Sequence, residues 1–134
     1  MSIEMCIEAE DVLRFEALVL AFNKTGVHDF EEEEYGFSGL FPISGMAFYV
    51  FQKEKCTVIP QLLAEGADKK FAWPVGTRIK FRYVNENFDE CTSQLKAFIS
   101  NLANVSNANF LLSFQYDTIY AVRDKGGLHK IADF

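Results

Sequence analysis

Between Gly45 and the charged run Lys53-Glu54-Lys55 the chain reads Met46-Ala47-Phe48-Tyr49-Val50-Phe51-Gln52. Both alternating sets of side chains in this stretch, Met46/Phe48/Val50 and Ala47/Tyr49/Phe51, are mostly apolar. Successive side chains of a strand point to opposite faces, so a strand built from these residues is covered on both sides and belongs inside a sheet. Periodicity alone also suits a short buried helical turn. The length, the bounding Gly45 and the aromatic and β-branched content favour a central strand. The rest of the chain must supply the layers that cover it.

The material for those layers is present. The chain has 134 residues with fourteen Phe, five Tyr and one Trp, enough for a single domain over residues 1–134 whose core needs no disulfides. Apolar content of 49% and charged content of 24% are ordinary for a globular protein, which argues against disorder and against a membrane span. The longest apolar candidate, residues 12–22, is broken by Arg14 and Glu16 and is too short to cross a bilayer. Glu4, Glu8, Glu10 and Asp11 occupy the place of a secretory signal's basic and apolar regions, so a cytoplasmic location is expected. Cys6, Cys56 and Cys91 are odd in number and widely spaced, which points to reduced, buried thiols and away from a disulfide framework or a zinc site.

Charge is distributed unevenly. Residues 1–34 carry ten acids against Arg14 and Lys24, a net −8, whereas residues 35–134 carry a net +2, giving −6 in all. A domain with this balance repels nucleic acid and attracts a basic partner.

Taken in order, residues 2–8 alternate as a strand with Glu4, Cys6 and Glu8 on a wet face. From about Asp11 the spacing of Val12, Phe15, Leu18/Val19 and Phe22 predicts an amphipathic helix, stopped by Lys24 and Gly26. Residues 27–43 read as an exposed acidic loop followed by a short edge strand or extended segment. After the central strand, residues 56–64 start as a strand and turn into a short helix beyond Pro60, and Trp73-Pro74-Val75-Gly76 reads as a turn. Residues 77–84 alternate cleanly, with Ile79, Phe81 and Tyr83 on one side and Arg78, Lys80 and Arg82 on the other. A capping box of Asn87 and Glu90 opens a second helix along Phe88, Cys91, Leu95, Phe98, Ile99 and Leu102, down to Ala103. Strands at 110–115 and 118–123 follow, and Lys125-Gly126-Gly127 turns the chain into a last strand at 128–132. The expected class is α+β: a mostly antiparallel sheet with two helices on one face, ferredoxin-like or related, with an extra C-terminal hairpin.

Catalytic and ligand chemistry finds little support. His28 beside Asp29 has the makings of an oriented general base, but a solvated histidine next to an acid is the commoner arrangement, and His129 reads as a surface residue. No Ser or Cys lies in a nucleophile motif, and Gly36-Phe37-Ser38-Gly39 and Gly126-Gly127 lack the spacing of a phosphate-binding loop. The row Arg78, Lys80, Arg82 could track a phosphate backbone, yet in an acidic chain it reads as the solvent face of a strand, paired with N-terminal acids. Residues 29–34 lack the spacing of a calcium loop, so no metal or cofactor is expected. What remains is the run Asp29, Glu31, Glu32, Glu33, Glu34 interleaved with Phe30, Tyr35, Phe37 and Phe41. It reads either as a solvated charge run or as a recognition surface, with carboxylates for a partner's Lys and Arg and aromatics as anchors.

On these residues, namely the N-terminal acids, the loop from Asp29 to Tyr35 and the aromatic α+β pattern, the chain resembles the immunity proteins of bacterial competition systems, the contact-dependent growth inhibition type among them. The resemblance implies a cytoplasmic protein that is not an enzyme and that binds and neutralises a cognate toxin domain, often a basic nuclease. Asp29, Glu31, Glu32, Glu33 and Glu34 would then supply the charges and Tyr35 the anchor. The competing expectation is a ferredoxin-like small-molecule-binding or regulatory domain with an apolar pocket between the sheet and residues 36–45, where the immunity reading expects none. An enzyme using His28 or a cysteine is the third.

Overall fold

The computed structural model describes residues 3–134; Ser2, where the first strand was expected to begin, lies outside them. Among the described residues the elements run β1 (Glu4–Glu10), α1 (Phe15–Lys24), β2 (Glu31–Glu33), β3 (Gly36–Leu40), β4 (Ala47–Gln52), α2 (Ala67–Lys70), β5 (Val75–Arg82), α3 (Phe88–Val105), β6 (Phe110–Phe114), β7 (Thr118–Asp124) and β8 (Gly127–Lys130). All eight strands form one sheet in the order β2-β3-β4-β5-β1-β6-β7-β8. Every neighbouring pair is antiparallel. Because β1 is antiparallel to both β5 and β6, those two run parallel to each other with β1 between them, and α3 connects them. By the same geometry β4 runs parallel to β1 across β5.

The period of two sorts side chains onto two faces. Met5, Ile7 and Ala9 of β1, Phe48 and Val50 of β4, Ile79 and Phe81 of β5, and Phe110 and Leu112 of β6 meet Leu18, Ala21 and Phe22 of α1 and Cys91, Leu95, Phe98, Ile99 and Leu102 of α3. Phe22 is the hub of this core: its ring lies 4.2 Å from Phe48, 4.4 Å from Phe98, 5.8 Å from Phe30, 5.9 Å from Phe41 and 6.0 Å from Phe37. Offset and edge-to-face contacts of this kind add to the stabilisation from burying each ring. On the opposite face Val75, Leu111 and Val122 are covered by Leu62, Ala64, Ala67 and Trp73 from the excursion between β4 and β5.

A buried ion pair fixes that excursion. Glu8 is fully buried, and its carboxylate accepts from the Leu63 and Ala64 backbone N–H groups at 2.7 and 2.9 Å and from Arg78 Nε and Nη2 at 3.1 and 2.8 Å. Arg78 also donates to the carbonyl oxygens of Ile59 and Gln61. The expected pairing of the cationic row with N-terminal acids is realised, since Arg82 also meets Glu4 at 3.1 Å. The expected wet face is not: Cys6, Glu8 and Arg78 are buried beneath or beside the excursion, whereas Tyr83 joins Ile79 and Phe81 in the helix-side core as their alternation predicts.

Other boundaries shift for identifiable reasons. The first helix begins at Phe15, leaving Val12 exposed. Residues 29–34 are not a loop throughout, because Glu31–Glu33 pairs with β3 as the true edge strand and places β3 in the interior. Residues 56–64 form no strand or helix; their backbone groups are used by Glu8 and Arg78, and the short helix α2 follows Gly66. Val75 and Gly76, expected in a turn, already belong to β5. No capping box forms at Asn87, whose side-chain amide donates 3.0 Å to the Ser44 carbonyl oxygen, so the tie to the β3–β4 loop takes its place.

Removing one partner of a buried ion pair strands the other charge. Glu8→Ala is expected to lower unfolding free energy by about 3–5 kcal/mol. The loss is measured by urea unfolding and accompanied by fast hydrogen exchange at the Leu63 and Ala64 amides. Glu8→Leu combined with Arg78→Met should lose less, because no charge is left unpaired.

Candidate functional site

The acidic run lies at one edge of the sheet. Glu31 and Glu33 are opposite Ser38 and Gly36 of β3, on the face away from the helices, whereas Glu32 is opposite Phe37 on the helix side. Glu33 accepts a hydrogen bond from Ser38 at 2.7 Å. Glu32 is 84% exposed and accepts from Lys55 at 2.9 Å; that hydrogen bond and the ammonium charge hold its carboxyl below the ordinary value. Asp29 and Glu34 are exposed at either end of β2. Tyr35, in the β2–β3 turn, is half-buried and stacks on Phe51 at 4.5 Å. Its hydroxyl titrates above the ordinary value through burial and the nearby Glu33 charge. The structure therefore brings Asp29, Glu31, Glu32, Glu33, Glu34 and Tyr35 to one edge. Of the other proposed anchors, Phe37 and Phe41 are buried in the core, where they pack around Phe22, and Phe30 is half-buried against Phe22 and Phe37.

Beneath this edge, on the helix side, is a cavity of about 510 Å³ lined by Phe15, Val19, Phe30, Phe37, Gly36, Gln52 and the Glu32–Lys55 pair. It exists because α1 lies over Phe37 and Phe48 and leaves β2 uncovered. Phe15, the first residue of α1, is 52% exposed at its rim and meets Phe37 edge-to-face at 5.7 Å. Gly36 admits no side chain, since a Cβ there would stand 2.1 Å from the Val50 carbonyl oxygen. Gln52 ends the inward row Phe48, Val50, Gln52 and is only 7% exposed. This residue was read only as the end of the central strand. The overlooked signal was a carboxamide at the core-facing phase of an otherwise apolar strand.

The remaining candidates separate. His28 is an exposed loop residue. His129 and Asp124 meet at 3.1 Å on the exposed terminal hairpin. Among the described residues no group of three or more His, Cys, Asp or Glu could hold a metal ion, and no helix is long and apolar enough to cross a membrane. Lys80 and Arg82 lie over the rings of Phe51 and Tyr49, at 5.6 and 5.8 Å from the centroids. Comparison with protein-family models, with curated proteins and with solved structures finds no match.

Burial pushes the Cys6 thiol up from 9.0 to about 11, against the opposing effect of its hydrogen bond with Tyr116. Folding therefore favours the neutral thiol, and the associated stability is complete below about pH 9 and is lost as pH rises towards 11. Tyr83 and Tyr116, also raised by burial from 10.0, extend the loss to higher pH. The urea midpoint should fall between pH 9 and 10, and Cys6→Ala should flatten that interval; a midpoint unchanged by the substitution would contradict this assignment.

Proposed function

We propose that this chain is a non-catalytic binding protein of the immunity type, which neutralises a cognate, basic toxin domain through the acidic edge of its sheet. The observation that carries the reading is the placement of Glu31, Glu32 and Glu33 on the edge strand, flanked by exposed Asp29 and Glu34. Exposed carboxylates concentrated along one edge attract a cationic surface over several ångströms and steer its approach. Tyr35, stacked on Phe51 and with its hydroxyl beside Ser38, offers a held aromatic for the rim of such a contact. We also read the core as ferredoxin-like: the central order β4-β5-β1-β6, with α1 and α3 packed on one face, supports a double split β-α-β plan to which β2-β3 and β7-β8 are added.

One observation favours a second reading, a small-molecule-binding domain: the apolar cavity beneath β2. Its volume falls in the range of ligand sites, and a few polar groups among aromatic walls are the usual lining of such sites. It lies between α1 and strands β2 to β4, whereas the sequence pointed to the space beside residues 36–45.

The protein-partner reading is tested by co-purification of the tagged chain from its native cells at low salt, with mass spectrometry of what remains bound. Recovery of a basic toxin domain, lost when Glu31, Glu32, Glu33 and Glu34 are all changed to Gln, is the expected result. Association of the recovered pair should slow by roughly 10- to 1000-fold in that variant and be as sensitive to salt as steered encounters are. Acidic side chains on an edge strand also deter edge-to-edge pairing. If that is their whole role, the Gln variant will self-associate and keep any partner, and the proposal fails.

A further inference from the structure

We propose that the cavity between α1 and strands β2 to β4 binds a small, uncharged planar aromatic molecule bearing a carboxamide-type edge, with a hydrogen-bond donor beside an acceptor, that pairs with the side-chain amide of Gln52. The inference rests on the second of the two readings, the first of which expects no pocket.

The argument begins with the strand's alternation. Phe48 and Val50 are completely buried, and the next position in the same row, Gln52, is 7% exposed. Among the described residues the Gln52 carboxamide makes no hydrogen bond, although its backbone N–H and carbonyl do. A primary amide offers two donors and an acceptor oxygen with two lone pairs, and this one is open to solvent: the buried side-chain polar atoms without a partner, among the described residues, belong to Trp73, Ser113 and Arg123. The cavity adjoins this side chain: Gly36 has no Cβ to cover it, and a methyl there would stand 3.5 Å from Gln52 Cγ. An amide that both donates and accepts within one plane is matched by a partner with the same pair reversed, as Gln matches the edge of a nucleobase.

The walls define the rest of the ligand. Phe37 meets Phe15 edge-to-face at 84° and Phe30 at 87°, so the rings form a corner of perpendicular surfaces. A flat ring placed there gains one stacked and one edge contact at the preferred geometries. At the mouth, Glu32 and Lys55 are paired at 2.9 Å, so the opening presents one charge of each sign. Neither an ammonium nor a carboxylate on the ligand is selected, which argues for a neutral head group. A volume of about 510 Å³ leaves room for a ring larger than benzene.

The test uses the whole chain, ¹H–¹⁵N NMR and three probes of similar size: benzamide, benzoate and toluene. Benzamide should bind saturably, shift the Gln52 side-chain amide resonances and bind about tenfold more tightly than toluene or benzoate, the increment of one neutral hydrogen-bonded pair. Gln52→Leu should remove that preference while toluene still binds. Phe15→Ala, at a half-exposed position, should weaken benzamide and toluene alike. Equal binding of benzamide and toluene would overturn the proposed ligand class while leaving the cavity as a ligand site, and would mean that water serves the amide. Binding of none of the three would overturn the proposal together with the small-molecule reading, and would leave the protein-partner reading untouched.

Discussion

The carboxylate of Glu8 is the point on which the two layers of this structure depend. It sits fully buried on β1, near the middle of an eight-stranded sheet, where an ionised group persists only if every oxygen is engaged. Two backbone N–H groups of the β4–β5 excursion and the guanidinium of Arg78 engage it, and Arg78 in turn holds the carbonyl oxygens of Ile59 and Gln61. A segment without secondary structure of its own is thereby held to the sheet by the very polar groups it would otherwise leave unpaired. Leu62, Ala64 and Trp73 can then cover Leu111 and Val122, so that this half of the sheet has a second core.

The cover is unequal, and the unequal parts are where binding surfaces arise. The excursion protects the face around β1, β6 and β7, while Tyr49, Phe51, Lys80 and Arg82 remain partly open on the same face towards β2. On the opposite face α1 and α3 pack over the centre of the sheet, and α1 begins at Phe15 without reaching the edge strand. A twisted sheet of this width is broader than two helices. The cavity beside Phe15, Phe30 and Phe37 follows from that mismatch, with Gln52 at its floor and the acidic strand at its rim.

What the sequence disclosed depended on whether a residue's partners were near it in the chain. The strand through Phe48 and Val50, the alternation of Ile79 and Phe81, the helix carrying Leu95 and Phe98 and the terminal hairpin were legible, because period and turn chemistry are local. The burial of Glu8 and Arg78 was not legible. A charge in an alternating strand reads as solvent-facing, and the groups that satisfy this pair come from residues 59–64, more than fifty positions from Glu8. The same holds at Asn87, where a local capping pattern yields to a bond with Ser44. The edge strand was missed because three consecutive glutamates have no apolar alternation, and their pairing is set by β3. For the candidate site, the acids were visible as composition, but the cavity was not, since it is formed by residues from α1, β2, β3 and β4.

The fold also changes the meaning of the charge count. The first 34 residues carry a net −8, which along the chain reads as one acidic end. In three dimensions that excess divides. Glu4 meets Arg82, Glu8 meets Arg78, Glu10 accepts from the Asn109 backbone N–H and Asp11 lies 3.8 Å from Lys53, so the acids of the first strand and its exit are spent on internal contacts. The acids of residues 29–34 have a single lysine ion pair, between Lys55 and Glu32. Close pairs cancel within a few ångströms, and at physiological ionic strength a field survives only about 8 Å into solvent, so the outward potential is set by what each surface leaves unbalanced. The β2 edge is therefore one of the surfaces that leave negative charge unbalanced, a smaller and more directional source than the linear count implies, beside the exposed Glu86, Asp89 and Glu90 at the start of α3.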